Sequence, residues 1–188
     1  PKSNNSDNLG TSSKNWNNLY CTNIHSSTSK NSGNATIGGT LSVTGTITGS
    51  KVYNAVYNDY AELFEKGEET TPGDLIALDE SSDTEQYIKA TTKNNLVVGV
   101  HSNEYAHIIG GDANKTLDEN LKNYIPVALA GRVYTKVTGK VHKGDKISLS
   151  NIPGVGKAST GNQPIIGMSL ETSNELGVKL IRILLYKS

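Results

Sequence analysis

The string His101-Ser102-Asn103-Glu104-Tyr105-Ala106-His107 carries two imidazoles and a carboxylate within seven residues. These are zinc-ligand types, which must converge at about 2.0–2.2 Å on one ion. The spacing opposes that convergence. On a strand His101 and His107 share a face and Glu104 takes the other; on a helix His101 and Glu104 share a face while His107 drifts round. No metal site and no cofactor are therefore expected, and the histidines are read as partners of backbone or water. Ser, His and Asp are all present without a spacing that marks a hydrolytic triad. The HExxH, GxSxG and phosphate-loop signatures do not occur. Asp74 and Asp145 each follow a glycine in the same short pattern. They are expected to bond local backbone amides in a turn rather than to do chemistry. The single thiol, Cys21, has no intrachain partner for a disulfide or a thiolate cluster.

The elements that would position these groups are short strands. Thr, Val, Ile and Tyr are frequent, and 19 glycines supply turns. From Tyr57 onward, apolar runs at Leu75–Leu78, Tyr87–Ala90, Leu96–His101, Ile125–Ala130, Arg132–Val137, Lys146–Leu149, Ile165–Leu170 and Val178–Tyr186 alternate with turn residues. One helix is predicted within Asn114–Tyr124, with Asp118 spaced to pair with Lys122. The head also repeats itself. Pro72-Gly73-Asp74-Leu75-Ile76-Ala77-Leu78, Ile88-Lys89-Ala90-Thr91 and Val97-Val98-Gly99-Val100 return as Lys143-Gly144-Asp145-Lys146-Ile147-Ser148-Leu149, Gly156-Lys157-Ala158-Ser159 and Ile165-Ile166-Gly167-Met168. Residues 57–188 are thus expected to form a compact all-β head, a barrel or β-clip with an internal repeat.

Residues 1–56 obey different physics: 34 of them are Asn, Ser, Thr or Gly, a composition that by itself reads as disorder. Ala35–Ser50 argues otherwise. Ala35, Ile37, Leu41, Val43 and Ile47 share one parity, and Thr or Ser dominates the other. Period-2 alternation puts the apolar groups on one face of an extended chain. A lone strand cannot bury so narrow a face. Three copies wound about a common axis would bury it, so residues 1–56 are expected to form an intertwined stalk of triple-stranded β-helix type in a homotrimer. The alternative is an edge strand of the following domain. A start at Pro1 rather than Met reads as a piece of a longer polypeptide, attached to an upstream fibre shaft.

Leu9-Gly10 followed by Trp16 and Leu19-Tyr20 resembles a repeat common in phage tail fibres. Asn58-Asp59-Tyr60-Ala61-Glu62, then Phe64 and a Gly-Asp turn, resembles the start of a C-terminal domain of phage appendage and tail-fibre proteins. That family is the intramolecular-chaperone, autoproteolytic (peptidase G2-like) domain. The resemblance implies a head that assists trimerisation of the upstream stalk and is then cut off near its own start. It makes Asp59 and Glu62 the catalytic carboxylates for a cut near Asn58–Asp59, because peptide hydrolysis needs a base for water and an acid for the leaving amine. The plainer reading has Asp59 capping a turn and Glu62 solvated or paired with Lys66.

Charge narrows the partners. Eighteen basic residues balance eighteen acidic ones, and only Arg132 and Arg182 are arginine. No basic face for nucleic acid is expected, and no apolar run reaches the ~20 residues of a membrane span. Three functions follow as expectations. The chain is a structural segment and tip of a phage-type tail fibre, a self-cleaving chaperone, or a tip that binds a bacterial-surface glycan. Each places it on a virion or phage-like particle.

Overall fold

The protein is described by a computed structural model at residues 13, 18, 20–24, 29, 31–49, 59–93 and 96–186. The chain divides into two compact units, Pro1–Ser50 and Lys51–Ser188. Every described residue of the first unit is exposed, and none lies in a helix or strand. Ile37, Leu41 and Ile47 of the alternating row are 54%, 62% and 70% exposed, so a single chain leaves that row in water. Leu9, Trp16 and Leu19 lie outside the described residues, and Tyr20 is exposed.

The second unit is all-β. Its strands are β1 (Asp59–Glu65), β2 (Leu75–Leu78), β3 (Tyr87–Lys89), β4 (Val97–His101), β5 (His107–Gly110), β6 (Tyr124–Thr138), β7 (Lys146–Leu149), β8 (Gly156–Ala158), β9 (Gly167–Ser169) and β10 (Lys179–Leu185). One short helix, α1 (Leu117–Asn120), precedes β6. No helix among the described residues is long and apolar enough to cross a membrane.

β6 is the spine. Its second half pairs with β10 and, in parallel, with β8; β8 pairs β7, β7 pairs β9 and β9 pairs β10. Those five strands close into a barrel, which leaves no free edge. The first half of β6 pairs antiparallel with β1 and β4, β4 pairs β2, and β2 pairs β3. A parallel bridge from Lys66 to Tyr87 joins the end of β1 to β3, so these five also run round in a ring. β5 adds to the outside of β1 in parallel.

The larger core holds Leu75, Val100, Val137, Ile147, Ile166 and Ile183, and the smaller one Ile76, Tyr87, Ile125 and Val127. β2 feeds Leu75 and Ala77 to one and Ile76 to the other. A strand buried on both faces has no room for polar residues, hence Leu-Ile-Ala-Leu.

The two Gly-Asp turns are built alike. Gly73 and Gly144 take φ of 91° and 93°, where a side chain would be strained. Asp74 accepts a hydrogen bond from the Thr71 amide and Asp145 from the His142 amide, both at 2.8 Å. Each glycine N–H then donates to the strand after next, Gly73 to His101 O and Gly144 to Ser169 O.

Three expectations need correction. The runs Ile125–Ala130 and Arg132–Val137 are one strand, because Gly131 continues it at φ 109° instead of breaking it. The helix spans only Leu117–Asn120, held by a capping box of Thr116 and Glu119. Its C-cap is Leu121, so Lys122 falls beyond the turn that would have paired it with Asp118. β1 and β5 were not anticipated as strands at all.

Candidate functional site around Asp59

β1 alternates. Asp59, Ala61 and Leu63 face the interior, while Tyr60 is exposed and Glu62 and Phe64 are half-buried on the other side. Asp59 thus stands on a core-facing position, only 2% exposed. The Ser102 hydroxyl donates to its Oδ2 at 2.8 Å. Its Oδ1 is buried and has no hydrogen-bond partner among the described residues. Burial pushes the Asp59 carboxyl above its ordinary value; the Ser102 hydrogen bond opposes the shift and the nearby Glu104 charge adds to it.

The loop after β4 wraps this carboxyl. Ser102 N–H donates to Pro126 O at 2.8 Å and Ala106 N–H donates to Asp59 O at 3.0 Å. The Ser102 hydroxyl also accepts from the Glu104 N–H at 3.3 Å. Around them lies a cavity of about 150 Å³, lined by Asp59, Ser102, Glu104, Arg132, Tyr134 and Leu180 among others. A carboxyl held toward its protonated form beside a hydroxyl can donate a proton.

The two carboxylates named from the resemblance are not brought together in one chain. Glu62 is on the opposite face of β1, close enough to Tyr87 to add to the burial and the Glu85 contact that raise that phenol to about 12. Lys66 pairs with Glu69 at 3.3 Å rather than with Glu62. Asn58 lies outside the described residues.

The histidines also part. His101 Nδ1 is 2.8 Å from the Thr70 hydroxyl, and burial pushes its pKa down to about 4, with Asp74 opposing and Lys136 and Lys66 adding. His107 is exposed, its ring 5.4 Å from that of Tyr60. Among the described residues no three His, Cys, Asp or Glu are grouped to hold a metal ion.

Two partners were invisible in the sequence. Lys136 reaches Asp74 Oδ1 at 2.6 Å from 62 residues away, and Ser102 reaches Asp59 from 43 residues away. No local pattern marks either contact.

The head is therefore an all-β module on a closed five-strand barrel, with a buried carboxyl at its first strand. Its fold is shared with the pre-mature form of bacteriophage phi29 gene product 12, at a TM-score of 0.56 and 16% identity over 77% of this chain. The chain spans about a quarter, 24%, of that protein's length. A C-terminal fragment of the same phage protein also aligns, at 17% identity over 68% of this chain and 100% of the fragment, with a TM-score of 0.48. No family model matches the chain, and no curated protein does.

Proposed function

We propose that the chain is the distal part of a phage-type tail appendage: a homotrimer in which residues 1–56 form the stalk and residues 57–188 the head. The fold shared with gene product 12 carries this reading. The exposed row of Ile37, Leu41, Val43 and Ile47 supports the trimer, because sister chains are what would remove it from water. The stalk would continue an upstream shaft, placing the protein on the virion. Within the head, the two strand rings are read as tandem copies of one five-strand unit sharing β6. Their matched turn hydrogen bonds favour this. Light scattering on the full chain tests the proposal: three times the 20.1 kDa chain mass is expected, and a monomer at micromolar concentration overturns it.

A second reading is favoured by the buried Asp59 at the first head strand. In it the head is a self-cleaving chaperone, cut near Asn58–Asp59 with Asp59 and Glu62 as its carboxylates. Since one chain holds them on opposite faces of β1, a working pair would need a sister chain. Denaturing gels of fresh protein decide. A slow split abolished by Asp59→Ala or Glu62→Ala supports cleavage, and an intact band over days removes it.

A further inference from the structure

The loop after β4 pins residue 59 at two points. Ala106 N–H donates to the Asp59 backbone carbonyl, and the Ser102 hydroxyl donates to the side chain at Oδ2. The loop is itself tied to β6 through the bond from Ser102 N–H to Pro126 O. Ser102 has one hydroxyl proton to give, and it is spent on Oδ2, while the hydroxyl oxygen accepts the Glu104 N–H. A carboxyl whose Oδ2 is an acceptor carries its own proton, when protonated, on the other oxygen. That oxygen, Oδ1, is the buried one without a hydrogen-bond partner among the described residues. Such a buried orphan costs free energy, which a reaction at that oxygen would account for.

Asp59 lines the cavity of about 150 Å³ described above. The other charged and titratable groups around that cavity are Glu104 on the loop and Arg132 and Tyr134 on β6. Arg132 is exposed, so solvent screens its charge. His107 of β5 stacks on Tyr60, which stands on the alternate face of β1 from Asp59. Burial keeps the proton on Asp59, the Ser102 hydrogen bond opposes this, and the Glu104 charge adds to it. One short loop therefore both holds this carboxyl and sets its charge.

We infer that Ser102 and Glu104 are positioning residues for self-cleavage: they fix the Asp59 carboxyl as the acid, with Oδ1 as the atom that delivers the proton. The inference rests on the self-cleaving reading above, in which the cut falls near Asn58–Asp59. At that bond the nitrogen that leaves belongs to residue 59. Acid and leaving group are then parts of one residue, which makes the transfer direct. Water adds its oxygen to the carbonyl carbon of residue 58 and loses a proton to the base, Glu62 in that reading. The carbon–nitrogen bond breaks as Oδ1–H passes its proton to the amine. The products are a new carboxyl and a new amine, and the proton taken by Glu62 returns through solvent to Asp59. Ser102 keeps the carboxyl from swinging, and Glu104 disfavours the ionised form, which has no proton to give.

The test follows the cut on denaturing gels of the full chain across pH. With Asp59 as the acid, the rate falls on the alkaline side as Asp59 loses its proton. Glu104→Gln removes a neighbouring negative charge, so that fall should move to lower pH. Glu104→Asp, which keeps the charge, should restore the profile that Glu104→Gln loses. Ser102→Ala removes a bond that favours the ionised form, so the fall should move to higher pH. Its plateau rate should also drop about tenfold, because the carboxyl is no longer held. Glu104 is exposed and Ser102 buried, so Glu104→Gln decides alone where Ser102→Ala does not fold. An unmoved profile in Glu104→Gln, whatever its rate, overturns the inference and leaves the self-cleaving reading standing. Movement of both variants in the same sense also overturns it. A parent chain that stays intact for days at every pH overturns the self-cleaving reading and the inference with it.

Discussion

The turns at Gly73–Asp74 and Gly144–Asp145 share backbone conformation and hydrogen bonds, yet their carboxylates differ in surroundings. The Asp74 side chain is 3% exposed and holds Lys136 at 2.6 Å, while that of Asp145 is 34% exposed beside His142 at 3.5 Å. The same motif therefore makes the same turn twice, but only the first is also a tie between distant parts of the head. The rings around them diverge in one more respect. Between β4 and β6 the first ring inserts residues 102–123, with β5, α1 and the loop that covers Asp59. Between β9 and β10 the second needs only residues 170–178. Where the rings match, the shared features are structural; the loop that covers Asp59 and the outer strand β5 belong to the insertion, while Asp59 itself stands on β1.

The hardest test of the match is steric. A methyl added at Gly99 would sit 2.1 Å from Ala128 O, and one at Gly167 would sit 2.5 Å from Leu184 O. The sequence repeat would put these glycines in corresponding places, and each lies where its strand comes close to its neighbour's backbone. Gly99→Ala is expected to cost more than about 4 kcal/mol, with Gly167→Ala somewhat milder. Urea unfolding checks this, and tolerance at one site but not the other would break the correspondence.

Next in size is the contrast between the turns. Asp74→Ala should cost about 3 kcal/mol, because it strips a buried partner from Lys136 and an acceptor from Thr71. Asp145→Ala should cost about 1 kcal/mol, the worth of an exposed turn hydrogen bond. Equal losses in chemical denaturation would mean that the Lys136 contact contributes nothing.

Titration separates the first ring further. His101 is pushed from 6.5 to about 4 in the fold, so between those values the unfolded chain binds more protons. Its contribution to stability is full above pH 6.5 and falls as pH drops toward 4. His101→Gln should flatten that part of the melting-temperature profile. Asp59 has the opposite sign: its raised carboxyl favours the fold at low pH and loses that advantage as pH climbs through the raised value. Asp59→Asn should gain stability relative to the parent as pH climbs from 3.8 through the raised value, the smallest effect of the series. A constant gap across that range would show that burial does not perturb Asp59.

Much of this was readable in the residues. The strands at Leu75–Leu78 and Lys146–Leu149 coincide with the apolar runs that announced them. Gly-Asp pairs foretold both turns, since positive φ and an amide-bonding carboxylate are local properties. β1 escaped because its Asp-Tyr-Ala-Glu-Leu-Phe-Glu mixes charges into both parities. β5 escaped because four residues with two isoleucines give no period.

Local chemistry therefore determined the all-β class, the turns and most strand positions of the head. These depend on contacts a few residues long, where side-chain alternation and backbone dihedrals act directly. Only the tertiary structure decided that β6 runs unbroken through Gly131, that five strands close a barrel upon it, and that Ser102 rather than Glu62 meets Asp59. Those outcomes turn on residues up to tens of positions apart, and their free energy comes from burial, which a linear string does not display.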